Sequence, residues 1–299
     1  MTDTNPLVDF RNFLFLCWKQ LGLPDPTPVQ YDIAEYIQHG PKRRVIQAFR
    51  GVGKSWITSA YVCHQLLLDP TKNILVVSAS KARSDDFSTF TLRLIHEMPL
   101  LEHLRPKDDQ RNSKIAFDVG PAPASHAPSV VSKGITSQIT GIVIADDVES
   151  LNNSATQTMR DKLSETIKEF DAVLKPDGHI IYLGTPQTEM TIHSALNERG
   201  YETRVWPARI PSEAQEKRMG STLAPLVKAL REDSNHPRGN PVDPARFDDA
   251  DLMEREASYG RTGFALQFML DSSLSDFNRF PLKLSDLLVM NISGDEGPE

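Results

Sequence analysis

The chain has 299 residues, 39% of them hydrophobic and 24% charged, with a formal net charge of −7. That length and balance fit a soluble globular protein, either one large α/β domain or a core with a smaller subdomain. The acidic balance excludes a uniformly basic nucleic-acid coat, so any DNA contact must use local patches.

The first predicted element is a helix with Phe10, Phe13, Leu14, Cys17 and Leu21 on one face, ended by Gly22 and Pro24. FLFLCW (13–18) is short and follows Asp3 and Asp9 rather than a basic region, so no signal peptide is expected. No apolar run approaches the roughly 20 residues of a membrane span. Cys17 and Cys63 form no C-x-x-C or metal pattern, which predicts free thiols in a reducing cytosol. After the loop PDPTPVQ (24–30), Val29, Ile33 and Ile37 mark a second short helix.

RRVIQAF (43–49) reads as a strand feeding a glycine-rich turn, and a helix over about 54–68 follows. NILVVSAS (73–80) is the next buried strand, with a helix behind it carrying Phe87, Phe90, Leu94 and Ile95. KIAFDV (114–119) and PSVVSKGI (128–135) read as shorter strands, and IVIADD (142–147) as a strand ending in acid. Met159, Leu163, Ile167, Phe170 and Leu174 define a long amphipathic helix. HIIYLGTP (179–186) is a further buried strand and RVWPA (204–208) a last one. Short apolar strands alternating with helices predict a mainly parallel sheet covered on both faces. Beyond Pro211 the pattern changes to charge-rich helical stretches (213–232 and 244–270) joined by HPRGNPVDP, which reads as a small helical subdomain.

Four features carry chemistry. QAFRGVGKSWIT (47–58) places Gly-x-Gly-Lys-Ser between a strand and a helix, where backbone N–H groups converge on phosphate. Gly51 and Gly53 shape the turn, Lys54 reaches the β/γ-phosphates and Ser55 holds Mg²⁺, and Val52 and Trp56 are assigned to cofactor binding with them. The usual pattern has glycine where this chain has Ala48, and Arg50 is an added cation that could reach the γ-phosphate. In IVIADDVE (142–149), Asp146 is assigned to Mg²⁺ through water. Asp147 is assigned to activating the attacking water, with Glu149 competing for that role. In LGTPQTE (183–189), Thr185 at a strand tip is placed to sense the γ-phosphate. Gln30, in PTPVQ, carries an amide able to both donate to and accept from adenine.

Each feature also has a plainer reading: a solvated lysine in a turn, acids that cap a helix, a threonine N-cap, an exposed glutamine. Their order along one chain outweighs those readings. Lys81 and Arg83 could touch a DNA backbone, although solvated helix-start charges account for them as well. The eight histidines form no zinc pattern.

With these residues in hand, the chain resembles the large terminase subunit (DNA maturase B) of short-tailed, podovirus-type tailed phages. The resemblance rests on QAFRGVGKS, ILVVSASK, FDVGPA, HAPSV, GITSQITG, IADDVE, NSAT, IYLGTPQTEMT, FALQFML and the PL-K-L stretch near residue 282. It implies an ASCE-type P-loop NTPase that uses ATP and Mg²⁺ to drive double-stranded DNA into a procapsid. The implied partners are the portal protein, a small terminase subunit and further copies in a homo-oligomeric ring, a pentamer. The setting is the host cytoplasm, with no membrane. In this family the Walker A loop carries an arginine, so Ala48 is no defect. The implied organisation is an adenine-side helical segment (1–42), the ATPase core (43–210), a lid or linker subdomain (211–283) and a tail (284–299).

Two departures stand out. The family's nuclease domain has clustered metal-binding acids, whereas Asp286, Asp295 and Glu296 are too few to replace them, so no nuclease activity is expected of this chain. An arginine-containing segment is also expected before IVIADD, where GITSQITG (134–141) stands instead. Arg50 in cis, Lys133 or Arg160 are the alternative cations. The competing readings are a helicase-like ATPase and a nucleotide-gated docking module with little turnover.

Overall fold

The computed structural model describes residues 5–132, 140–150, 153, 156–186 and 196–274. Two helices come first, α1 (Phe10–Gln20) and α2 (Pro28–His39). Asp9 caps the first, and Thr27 with Gln30 forms a reciprocal capping box at the second. The alternating part follows: β1 (Arg43–Ala48), α3 (Lys54–Leu68), β2 (Ile74–Ser78), α4 (Lys81–Glu97), β3 (Ala116–Phe117), β4 (Val130–Ser132), β5 (Thr140–Asp146), α5 (Gln157–Val173), β6 (Leu174–Gly184) and β7 (Glu202–Trp206). Three helices complete the described chain: α6 (Glu213–Met219), α7 (Pro225–Glu232) and α8 (Asp249–Gln267).

The sheet runs β3-β4-β2-β5-β6-β1-β7. Every neighbouring pair is parallel except β3 with β4. Parallel neighbours need crossovers, and the helices that supply them cover both faces. Strand alternation then divides the apolar side chains. Ile46, Val76, Ile144 and Ile181 face a core shared with α1–α4, whereas Val45, Leu75, Val143 and Ile180 face Ile167, Phe170 and Val173 of α5. α3 lies between the sheet and its helical neighbours and is buried from Ile57 to Leu66. Val227, Leu252, Phe264 and Phe268 of the last helices join the same core as α1 and α2. Apolar burial thus runs continuously from the first helix to the last, at about 1.5–3 kcal/mol per large side chain.

Several boundaries differ from the sequence expectation. The helical stretch 213–232 divides at Gly220, which has φ +54°, and restarts with Pro225 in the first turn of α7. The stretch expected from 244 starts as a helix only at Asp249, behind an Asp248 capping box, and is kinked at Gly260 (φ 69°, ψ 166°). Leu174 ends the predicted helix pattern but begins β6, pairing with Thr140 across a bulge. Lys175, Pro176 and Asp177 disguised that extension as a turn. Most of GITSQITG, Lys133, the stretch after Pro186 and the tail from 275 lie outside the described residues. Among the described residues no helix is long and apolar enough to cross a membrane, and Cys17 and Cys63 are both buried free thiols.

Candidate active site

A cavity of 690 Å³ opens at the carboxyl ends of the parallel strands, where open α/β sheets place their ligands. Its lining combines residues after β1 (Arg50, Gly51, Gly53, Lys54, Ser55, Trp56), after β2 (Arg83), after β5 (Asp147, Glu149) and after β6 (Thr185). The sheet order explains this convergence. β6 lies between β1 and β5, so the tip carrying Thr185 stands between the glycine turn and the acids.

Ala48 is the last residue of β1, fully buried and paired with Trp206. It takes no left-handed backbone angle, so a methyl group is tolerated where the usual loop has glycine. Gly51 and Gly53 do need theirs, at φ +92° and +94°. Gly51 is also closely covered: an added Cβ would stand 2.7 Å from Cζ of Phe247. Val52 is buried in the apolar core, so only its backbone can serve a ligand. The earlier assignment of Val52 to cofactor binding therefore narrows to its main chain.

Lys54 Nζ donates to the carbonyls of Ala48 (2.6 Å) and Phe49 (3.4 Å). Burial pulls its pKa below the ordinary lysine value, opposed by the charges of Asp147 and Asp146. Ser55 Oγ donates to Asp146 Oδ2 at 3.0 Å, with Oδ1 at 3.2 Å. Burial raises the Asp146 pKa to about 6, with the neighbouring Asp147 adding to the rise. A hydroxyl and a carboxylate brought together offer the hard oxygen ligands that Mg²⁺ takes, so the residues fit that ion.

Asp147 holds a left-handed conformation (φ 46°), and its backbone is tied to two strand ends: its N–H donates to Leu183 and its carbonyl accepts from Ala79. Its carboxylate accepts from Arg83 Nη1 at 3.2 Å. Arg83 stands in the first turn of α4 and is exposed, as expected, and the ion pair with Asp147 is an added role. Its place just past the carboxyl end of β2 was the available signal. Glu149 and Thr185 are both buried against the cavity. Trp56 is half exposed at the rim and tilts onto Phe90, with ring centroids 5.1 Å apart.

Gln30 lines the cavity, but its amide is engaged locally. Its oxygen accepts from Thr27 N–H (3.1 Å), and its nitrogen donates to the Val52 carbonyl (2.9 Å). Arg50 points toward α8: its backbone N–H donates to the Gln267 carbonyl (3.0 Å) and Nη1 reaches Gln267 Oε1 (3.4 Å). Gln267 Nε2 in turn donates to the Pro186 carbonyl (3.3 Å), next to Thr185. Of the alternative cations, Arg160 lies on α5, donates to Gln157 and does not line the cavity; Lys133 falls outside the described residues. Trp18, Leu23, Arg83, Arg246 and Gln267 were not among the predicted site residues. Four of them line the cavity and Gln267 braces it from α8.

No protein-family model matches this chain. A curated relative, the large terminase subunit of Enterobacteria phage T3, is 49% identical over 303 residues that cover 97% of this chain and 51% of the relative. The chain thus spans about half the length of the curated relative it matches. Among solved structures, the large terminase of bacteriophage HK97 superposes with a TM-score of 0.51 at 14% identity, covering 89% of this chain and 55% of that one. A variant of the ATPase domain of the large terminase of Thermus phage P74-26 gives 0.50 at 15% identity, covering 85% and 96%. At such identities the likeness speaks to fold: a P-loop NTPase with a mainly parallel sheet. The chain belongs to the phage large terminase subunits, over a stretch equal to about half of such a subunit.

Proposed function

We propose that this chain is the ATP-hydrolysing motor part of a terminase that drives double-stranded DNA through the portal into a procapsid. The observation that carries the proposal is the join between the two phosphate motifs: Ser55, which lines the cavity beside Lys54, is bonded to Asp146 at the end of β5. Ser55 and Asp146 would hold Mg²⁺, which supplies charge neutralisation at the β- and γ-phosphates. Lys54 leaves the Ala48 carbonyl to meet phosphate, and the glycine turn presents its N–H groups. Asp147 or Glu149 accepts a proton from the attacking water. Arg50 and Thr185 would both serve the terminal phosphate, and Gln267 of α8 bonds to Arg50 and to the Pro186 carbonyl that follows Thr185. In this reading 1–42, 43–210 and 211–283 act as base-side segment, core and lid. A ring of copies in the host cytoplasm, a pentamer docked on the portal with a small subunit, would complete the machine.

The test is Mg-ATP hydrolysis against protein concentration, with and without duplex DNA, beside Lys54→Ala and with ATP binding measured in parallel. A Lys54-dependent rate per subunit that climbs with concentration supports assembled neighbours completing the site. A flat Lys54-dependent rate means a self-contained site, with Arg50 as the cation at the transferring phosphate, worth about 10³–10⁵ in rate. Hydrolysis unchanged by Lys54→Ala removes the proposal.

A further inference from the structure

The cavity extends beyond the phosphate motifs, and its far wall is made by Trp18, Leu23, Gln30 and Arg246. Arg246 comes from the turn before α8, far from every sequence motif. Three contacts hold that turn in place. Thr27 Oγ1 donates to Asp243 Oδ2 at 2.7 Å, fastening the turn to the N-terminus of α2, the helix that carries Gln30. The backbone N–H groups of Arg246 and Phe247 both donate to the Asp243 carbonyl, at 3.0 and 2.9 Å. The Phe247 ring fills the space over Gly51, flanked by Phe49 at 5.9 Å and by the Arg255 guanidinium at 3.9 Å. On this support Arg246 Nε donates to the Gly51 carbonyl at 2.9 Å.

These contacts put a guanidinium on the same cavity as Gln30, the two side chains holding the adjacent carbonyls of Gly51 and Val52. Arg246 is exposed and forms no salt bridge among the described residues. Its Nε is held by the loop and the guanidinium carbon stands 5.9 Å from the centroid of the Phe247 ring, which leaves Nη1, Nη2 and the face turned from that ring to meet a ligand. Gln30 has its amide engaged with Thr27 and Val52 and is poorly placed to provide the whole base contact. A planar cation presented at the cavity wall suits the π face of a purine, which attracts arginine in stacked geometry.

We propose that Arg246 binds the nucleobase of the nucleotide, stacking its guanidinium on the purine at the wall shared with Trp18 and Gln30. This rests on the reading of the cavity as an ATP site. It adds a base-contacting residue from the C-terminal helical segment, so that segment would sense an occupied site directly.

The experiment separates base from phosphate. Binding of Mg-ATP and of inorganic triphosphate is measured for the unmodified chain, Arg246→Ala and Arg246→Lys, with thermal melts as the folding control. The expected result is about tenfold weaker ATP binding for Arg246→Ala, with triphosphate binding within about twofold of the unmodified chain, and only partial recovery by lysine, which lacks the plane. Equal losses for both ligands would make Arg246 a loop or phosphate residue and overturn the proposal. Unchanged ATP binding by Arg246→Ala would overturn it as well. If the unmodified chain binds neither ligand, the ATP reading itself fails, an outcome distinct from either of those.

Discussion

At the phosphate end of the cavity, Gly51, Gly53, Lys54 and Ser55 come from one run of sequence, joined by acids at a strand tip roughly ninety residues on. At the opposite end, Trp18, Gln30 and Arg246 come from the first helices and the turn before α8, held together by Thr27 on Asp243 and Phe247 on Gly51. The first end is backbone geometry: positive-φ glycines and the start of a helix, which local sequence dictates. The second is a packing product, and it exists only because the last helices share a core with the first two. One loop residue, Gly51, belongs to both, since its own φ shapes the phosphate turn while its bare Cα admits Phe247.

The largest expected effect lies at the phosphate end and separates its two acids. Asp147→Asn and Glu149→Gln are compared by single-turnover hydrolysis at saturating Mg-ATP. Loss of the proton acceptor costs about 10²–10⁴ in rate with ATP binding retained. The other acid costs far less, and Arg83→Gln follows whichever behaviour Asp147 shows if the ion pair with that carboxylate is its main role, whereas a separate loss marks its own place on the cavity wall. If both acid variants hydrolyse ATP at the unmodified rate, neither activates the water.

Next in size is an effect of opposite sign on stability. The folded pKa of Asp146 is raised to about 6, so the folded chain retains a proton that the unfolded chain releases nearer pH 4. Stability is then full below the unfolded pKa and lost as pH rises through about 6. The shift corresponds to at most about 3 kcal/mol. Asp146→Asn should therefore be more stable than the unmodified chain at pH 7, by about 2–3 kcal/mol in urea titrations, and equal to it near pH 4. The same variant should lose Mg-dependent ATP binding. A destabilised Asp146→Asn at pH 7 would mean that the charged carboxylate is well accommodated without metal.

Gly51→Ala tests the residue that joins the two ends. A left-handed alanine costs about 1 kcal/mol or more, and displacing the Phe247 ring adds to it. The total expected loss is about 1–3 kcal/mol, read by denaturant midpoint. Adding Phe247→Ala should recover little stability, because it opens a hole, yet it should recover nucleotide binding if the loop needs only room. Strictly additive losses in both readouts would show that Gly51 and Phe247 act independently.

The effect most reduced by solvent screening lies away from the cavity, at the partly buried His179. Burial and the neighbouring Arg44 lower the His179 pKa to about 4, and Arg44 Nη1 stands 3.2 Å from His179 Nδ1. Between the unfolded histidine value near 6.5 and about 4, only the unfolded chain takes up the proton. Stability should fall as pH drops through that window, and His179→Gln should flatten the slope. An unaltered slope would assign the acid sensitivity to other groups.

Much of the core and the phosphate end was legible because its signals are local. Apolar runs of strand length, the Gly-x-Gly-Lys-Ser turn and the Asp-Asp strand end each depend on neighbours in the chain, and β1, α3, β2 and β5 fall close to where those patterns put them. Membership of the terminase family was legible too, from many short stretches in order. Sheet order was not legible, since periodicity marks a strand without naming its neighbour, and only the β5-β6-β1 arrangement brings Thr185 between loop and acids. Nor was the pairing of Arg83 with Asp147 or the reach of Arg246 to Gly51, which join residues 64 and 195 positions apart. Local sequence set the backbone that can cradle phosphate. The burial of distant helices in one core decided which cations and rings close around it, because such contacts depend on the packing of the whole chain.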